Sequence, residues 1–238
     1  MKKFFSSTIN KQYMILMLGA PGVGKGTYSK ILSKDIKIPE LSTGEFLRKA
    51  IHNNDNNNPH YKEIAEKINK GELIDDDFMF NIVKQLLQTD EYKNGAILDG
   101  FPRNVNQCVL MESFKKFDLV LNIQLNEDVL VKKLLGRRVC KGCGKGYNVC
   151  EIKENGYDME PLLPKKNKDK CDECNSDLYV RDDDKEDIIR KRLDIYNKKT
   201  QVLEEYFDRQ GVLVSMELKK GVKDYPLLRE VVRDRLKI

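Results

Sequence analysis

The sequence predicts an α/β fold in which a central parallel sheet is covered by helices on both faces. Three observations carry that prediction. Short apolar runs of strand length, Tyr13 to Leu18, Ala96 to Asp99, Val120 to Leu125 and Val212 to Met216, alternate along the chain with amphipathic stretches. The first run passes directly into the glycine-rich turn Gly19-Ala20-Pro21-Gly22-Val23-Gly24-Lys25-Gly26-Thr27 and then into a helical start at Tyr28 to Leu32. Between Arg138 and Arg181 the pattern changes to Gly, Cys, Lys and short apolar pairs, which marks a small module inserted into the α/β core.

Taken in order, the leader Met1 to Asn10 is basic, free of acidic residues and contains serine, but it has no signal-peptide core and no arginine. It reads as an extension ahead of the first strand, with a transit segment as the alternative. The glycines of the turn at Gly19 to Thr27 let backbone N–H groups converge on an anion. The helix behind adds the partial positive charge of its N-terminus, and Lys25 a mobile point charge. The turn therefore reads as a phosphate cradle rather than an ordinary strand-to-helix connection, although Gly26 stands where G-x-x-x-x-G-K-[ST] has its hydroxyl and Thr27 comes one place later. Ser42 or Thr43 caps a helix with Glu45 in its first turn, and the polar run Asn53 to Pro59 breaks it as a solvated loop. Ile64, Ile68 and Leu73 space a second amphipathic helix ended by Gly71, and Phe78 to Leu87 gives a third. Ala96 to Arg103 is a buried strand delivering Asp99 at its carboxyl edge, where open α/β sheets bind ligands. Val120 to Leu125 is a further strand, Asp128 to Leu135 a helix, Val212 to Met216 the last strand and Pro226 to Leu236 the closing helix.

A chain of 238 residues buries a substantial core, and one compact domain with insertions is the expectation. With 34% charged residues and a net charge of only +5, the surface carries both signs; a phosphate-handling enzyme collects that much excess Arg and Lys without any nucleic-acid partner. No run approaches the roughly eighteen apolar residues of a membrane span, and the start lacks the Met-Gly of a myristoylation site. Neither nucleic acid nor membrane is an expected partner.

Four of the six cysteines fall in two C-x-x-C pairs without a secretory signal, which points to a reducing compartment and a metal rather than disulfides. The pairs are Cys140-Lys141-Gly142-Cys143 and Cys171-Asp172-Glu173-Cys174, and the stretch between them, though wider than the commonest zinc-ribbon spacing, is only loop. Four thiolates suit a tetrahedral Zn²⁺, and four protein ligands leave no open position, so the ion is structural; a redox pair or idle thiols is the bland alternative. Cys150 is a weak competitor for ligation. Cys108 reads as a small buried apolar residue.

Once the reading reaches Asp99 to Arg103, the chain resembles the adenylate kinase family of nucleoside monophosphate kinases, in its long-lid zinc-containing type. The resemblance rests on GAPGVGKGT at 19–27, LSTGEFLR at 41–48, GELI at 71–74, LDGFPRNVNQ at 98–107, GRR at 136–138 and YVRDDDKEDIIRKRL at 179–193. It implies a P-loop core with a central parallel sheet (1–41, 75–135 and 185–238), a helical nucleoside-monophosphate-binding insert (42–74) and a zinc lid (136–184). The implied reaction is phosphoryl transfer from ATP to AMP. Such a reaction holds two polyanions in line with water excluded, so it asks for positioned cations, and a guanidinium grips phosphate oxygens bidentately.

By position, the resemblance puts the triphosphate on Gly22, Val23, Gly24, Lys25, Gly26 and Thr27, with Lys133, Arg137 and Tyr147 also on ATP. Thr43, Arg48, Glu72, Leu73, Ile74, Gly100, Phe101, Arg103, Gln107, Arg181 and Arg192 would form the AMP site, with Gln107 reading the adenine edge. Lys25, Arg103, Arg137, Arg181 and Arg192 are the implied catalytic set, Asp183 and Asp184 would orient the arginines, and Asp99 would hold Mg²⁺ through water. Arg138, Arg190 and Arg209 read as surface arginines. The family commonly has an arginine where this chain has Lys133, and a lysine stem cannot stack as a guanidinium does, so a GTP donor is the rival within the class. A non-catalytic nucleotide-binding or zinc-scaffold protein is the rival outside it. ATP, AMP, Mg²⁺ and Zn²⁺ are the expected partners of a monomer in the cytoplasm, with the mitochondrion as the alternative compartment. The charged stretch Glu151 to Lys170 has no functional reading.

Overall fold

The computed structural model describes residues 12–53 and 59–238; the leader and residues 54–58 of the polar run lie outside the described residues. The chain starts with β1 (Tyr13–Leu18), α1 (Lys25–Ile36), β2 (Glu40–Ser42), α2 (Thr43–Asn53), α3 (Pro59–Asn69) and α4 (Asp76–Leu87). It continues through β3 (Gly95–Asp99), α5 (Val105–Phe114), β4 (Leu119–Gln124) and α6 (Glu127–Leu135). Five short strands follow, β5 (Arg137–Cys140), β6 (Gly146–Asn148), β7 (Ile152–Glu154), β8 (Tyr157–Met159) and β9 (Leu178–Tyr179). The last part holds α7 (Glu186–Ile195), a widened π turn (Tyr196–Thr200), α8 (Val202–Asp208), β10 (Leu213–Glu217) and α9 (Tyr225–Leu236).

The central sheet is parallel throughout, in the order β10-β4-β1-β3-β2. Successive residues of a strand point to opposite faces, and in β1 this sorts the chain into two cores. Ile15 and Met17 join Ile97, Leu121 and Ile123 in one apolar cluster with Leu32 of α1, Leu134 of α6, Ile189 of α7 and Val232 of α9. Met14, Leu16 and Leu18 join Leu98 and Val120 in the other, with Val83 of α4, Met111 of α5 and Phe207 of α8. Each fully buried side chain contributes roughly 1.5–3 kcal/mol. Asp75, Asn104 and Asn126 cap α4, α5 and α6 by accepting from the N–H groups of Phe78, Gln107 and Asp128.

The α/β prediction and the parallel sheet stand, with three differences in detail. Leu73 is not on α3: the helix stops at Asn69, Gly71 follows at φ +70°, and Leu73 sits in the extended approach to α4. Asn53 closes α2 and Pro59 opens α3, a position where the missing N–H costs nothing. The short strand β2 and the helices α5, α7 and α8 carry no prediction of their own. The module after α6 builds an antiparallel sheet β6-β5-β9 and a separate hairpin β7-β8. The hairpin had a legible signal, because Asn155 and Gly156 have φ +49° and +81°, and Asn-Gly is the preferred pair for a tight turn with positive φ at both central residues.

Candidate functional site

A cleft of about 1210 Å³ opens at the carboxyl ends of β1 and β3, between α2, α3 and the inserted module. Its floor is the glycine turn. Gly24, at φ +109°, is the residue before α1 and accepts from the N–H groups of Thr27 and Tyr28. Gly26 has a different physical reason: a Cβ there would lie 3.3 Å from Asp99 Oδ2, so its absence lets the carboxylate approach the start of α1. Lys25 folds back on the loop, donating to Gly19 O at 2.7 Å and Ala20 O at 3.0 Å. Burial lowers its pKa to about 8, with Arg103, Arg192 and Arg137 adding to the fall and Asp99 opposing it. Val23 is packed in the core, leaving only its backbone for a ligand.

The arginines converge above this floor. Arg137, from β5, donates through Nε to Asp184 Oδ2 at 2.8 Å and through Nη2 to Oδ1. Arg181 holds Asp183 with both Nε (2.8 Å) and Nη2 (2.5 Å), and Arg192 of α7 reaches the same carboxylate at 2.8 Å and Asp184 at 3.6 Å. Asp183 and Asp184 are almost wholly buried. Burial alone would raise the Asp183 carboxyl; Arg181 and Arg192 outweigh that and hold it well below the usual carboxylate range. Arg48 of α2 lies over Gly44, its pKa lowered to about 10 by burial and then by Arg181. Burial also lowers Arg192, to about 9, and Arg137 and Arg181 lower it further against Asp183. Arg103 reaches in from the segment after β3, donating through Nε to Gly100 O at 2.7 Å. Lys25 and five arginines thus face the three carboxylates Asp99, Asp183 and Asp184, an arrangement that repels itself until an anion enters.

Thr43 is buried and donates to Asp99 O at 3.3 Å, tying the start of α2 to the end of β3. Gln107 accepts from Arg103 N at 2.7 Å and donates to Asp76 Oδ1 at 2.8 Å, which leaves its amide one further N–H and one further lone pair. Leu73, Ile74, Gly100 and Phe101 line the same end of the cleft, and Glu72 there pairs with Lys191 at 2.8 Å. Lys133 of α6 and Tyr147 of β6 also line the cleft, Lys133 beside Met159 of the hairpin. Tyr147, expected on ATP, is buried with its hydroxyl turned to the cysteines: it lies 3.5 Å from Cys171 Sγ and accepts from Asp172 N at 2.8 Å.

Four participants escaped the sequence reading. Asp76 holds Asn104, Asn106 and Gln107. Thr200, in the π turn, donates to Arg103 O at 2.6 Å and so fixes the segment carrying that arginine. Lys30 of α1 pairs with Glu45 of α2 at 2.7 Å and donates to Gly144 O of the inserted module at 3.2 Å, joining three parts of the molecule. Glu40 of β2 accepts from Ser29 at 2.5 Å, and burial raises its pKa to about 7 against that bond and Lys30. None belongs to a short motif. The i,i+4 pairs Arg190–Glu186 and Arg209–Glu205 are exposed, as expected of surface arginines.

Cys140, Cys143, Cys171 and Cys174 bring their sulfurs within 4.8 Å of one another. A tetrahedral zinc with Zn–S bonds near 2.3 Å needs sulfurs about 3.8 Å apart; here the Cys140–Cys174 and Cys143–Cys171 pairs are at 3.3 and 3.5 Å, so the donor set fits that ion. Backbone N–H groups of Cys143 and Glu173 point at Cys140 Sγ (3.5 Å) and Cys171 Sγ (3.4 Å), as thiolate ligands require. Cys150 lies outside the cluster and Cys108 is buried in the core. No helix among the described residues is long and apolar enough to cross a membrane.

The family model for adenylate kinase matches residues 17–212. An adenylate kinase of Thermodesulfovibrio yellowstonii is 42% identical over 207 residues, covering 85% of this chain and 90% of that protein. One from Clostridium kluyveri is 40% identical over 208 residues, covering 85% and 89%. A plant relative, the probable adenylate kinase 6, chloroplastic, of Arabidopsis thaliana, is 40% identical over 217 residues, covering 88% and 70%.

Proposed function

The chain belongs to the adenylate kinase family of phosphotransferases, and on that premise we propose that it transfers a phosphoryl group reversibly from ATP to AMP, giving two ADP. The observation that carries the reading is the convergence of Lys25, Arg48, Arg103, Arg137, Arg181 and Arg192 on one cleft. A scaffold has no need of so many cations, whereas two sets of phosphates and a transferring group between them do.

In this reading the backbone of Gly22 to Thr27 and Lys25 hold the donor phosphates, Lys133 and Arg137 hold the rest of the donor, and Thr43, Arg48, Glu72 to Ile74, Gly100, Phe101 and Gln107 hold AMP. Arg103, Arg181 and Arg192 bind the acceptor and transferred phosphates, aimed by Asp183 and Asp184. Residues 42–74 and 136–184 close over both nucleotides and keep water from accepting the phosphoryl group. Asp99 would hold Mg²⁺ through water, and the ion supplies charge neutralisation on the donor phosphates. Cys140, Cys143, Cys171 and Cys174 would hold a structural zinc. In this reading the functional unit is a monomer, supported by a cleft whose cations all come from one chain. The compartment in this reading is a reducing one, the cytoplasm or the mitochondrion, supported by cysteines grouped as a metal-ligand set.

The test is AMP-dependent formation of ADP with ATP, GTP and ITP as donors. ATP is expected to give the highest kcat/KM. Preference for GTP would favour the second reading, whose support is Lys133 in place of an arginine, and background turnover with every donor would refute both.

A further inference from the structure

The hairpin β7-β8 lies within Glu151 to Lys170, the charged stretch without a functional reading, and its contacts are with the core as well as with the module it belongs to. Ile152, Tyr157 and Met159 pack on Val129 of α6. Tyr157 donates its hydroxyl proton to Glu217 Oε1 at 2.5 Å and accepts from Asn126 N at 3.0 Å; Asp158 N donates to Lys219 O at 3.0 Å; Glu160 pairs with Lys223 at 2.7 Å. These bonds tie the hairpin and the residue after it to the end of β10, to the segment between β10 and α9, and to the start of α6, all outside the inserted module.

Ile152 and Met159 of the hairpin, both almost wholly buried, form part of the wall of the cleft, and Met159 is the one set beside Lys133. Its Sδ lies 3.7 Å from Lys133 Nζ, and its Cγ would lie 3.7 Å from a Cβ on Gly221. Lys133 is on the last turn of α6, the turn that abuts the glycine loop: a Cβ on Gly22 would lie 2.7 Å from Leu134 Cγ. A nucleotide with its phosphates on that loop can extend its nucleoside in two directions. One leads to Thr43, Arg48 and Gln107, the acceptor end. The other leads to Lys133, Met159 and Gly221.

We propose that Met159 is a specificity-determining residue for the donor: its thioether, beside the stem of Lys133 and the backbone of Gly221, forms the platform on which the donor purine lies, and β7-β8 holds it there. A polarisable sulfur against a ring does here what a stacked guanidinium does elsewhere. The bonds of the hairpin to Glu217, Asn126 and Lys219 fix this wall of the donor pocket against the core. The inference rests on the proposed function, and its test separates the two.

Wild type, Met159→Ala and Met159→Leu are compared for turnover with ATP and CTP at saturating AMP, for ATP binding by calorimetry without AMP, and for melting temperature. Met159→Ala is expected to raise the ATP KM and Kd roughly 3- to 10-fold, the factor that a lost thioether–ring contact is worth, and to narrow the preference for ATP over CTP. kcat and the AMP KM should stay within twofold, and Met159→Leu, which keeps the volume but lacks the sulfur, should recover only part of the loss. An ATP Kd within 1.5-fold of wild type in Met159→Ala overturns the inference, whether or not the protein turns over. A parallel fall in kcat, AMP affinity and melting temperature also overturns it, since that is the behaviour of a packing residue. Absence of ADP formation by wild type refutes the proposed function, while the ATP titration still decides Met159.

Discussion

Asp183 is the point at which stability and catalysis are joined. Its side chain is 6% exposed and lies between Arg181, 10% exposed, and Arg192, 17% exposed. Asp183→Asn keeps the shape and removes the charge, leaving two largely buried guanidiniums facing each other. Breaking a buried pair in this way costs roughly 3–5 kcal/mol, and because Arg192 keeps Asp184 at 3.6 Å the lower end, about 3 kcal/mol, applies. For a chain of this size that is a fall in melting temperature of roughly 6–12 °C. Loss of aim in the two arginines should also lower kcat, by roughly 10²-fold if their tips move about 1 Å.

Scanning calorimetry at several pH values, with ATP–AMP turnover on the same samples, reads both effects. The carboxyl has a folded-state pKa below its unfolded value, so its contribution is present above the unfolded carboxylate pKa near 4 and is lost as pH falls through the folded one. The gap between wild type and variant should therefore be full at pH 7 and narrow on acidification. A melting temperature within 2 °C of wild type at pH 7, together with kcat within twofold, would refute the account of Asp183 as the residue that aims the arginines.

Lys133→Arg should tighten ATP binding by placing a planar cation at the donor end; an unchanged or higher ATP KM counts against that. Glu40 has the opposite sign to Asp183, since burial raises its pKa to about 7 and the folded state keeps a proton that the unfolded chain releases above about 4.5. Stability should fall as pH rises from about 4.5 to 7, and Glu40→Gln should stabilise the protein at pH 8 by at most about 3 kcal/mol, measured by urea unfolding at pH 5 and pH 8; equal stability of the two proteins at pH 8 would refute it. Chelation of zinc, monitored by a colorimetric zinc indicator, should lower the melting temperature without removing a group that touches substrate. Full thermal stability of verified zinc-free protein would show that the four cysteines carry no structural ion.

Much of this site is written in contiguous residues, and that part was legible. The glycine turn, the strand ending at Asp99 and the C-x-x-C pairs are local patterns whose physics needs no neighbour. The arginines were legible only through resemblance, because nothing local distinguishes Arg181 from Arg138. Helix α5 was missed because Val105 and Val109 are exposed while Cys108 and Met111 are buried, so hydrophobicity alone does not mark its buried face. Asp76, Thr200 and Lys30 act on residues far away in sequence, and long-range hydrogen bonds leave no mark in spacing. The Asn155–Gly156 turn was different, a local signal present in plain sight inside a charged stretch.

The widened turn at Tyr196–Thr200 has a mechanical consequence. On one side of it α7 is seated by Ile189 and Leu193 in one core, and on the other α8 is seated by Leu203 and Phe207 in the core on the opposite face of the sheet. Arg192 and Thr200 therefore ride on a rod that is gripped at both ends by independent bodies of packing. A rod held in this way links the two cores: repacking around Phe207, on the far face of the sheet from the core that seats α7, bears on the Arg192 guanidinium through one continuous helical segment.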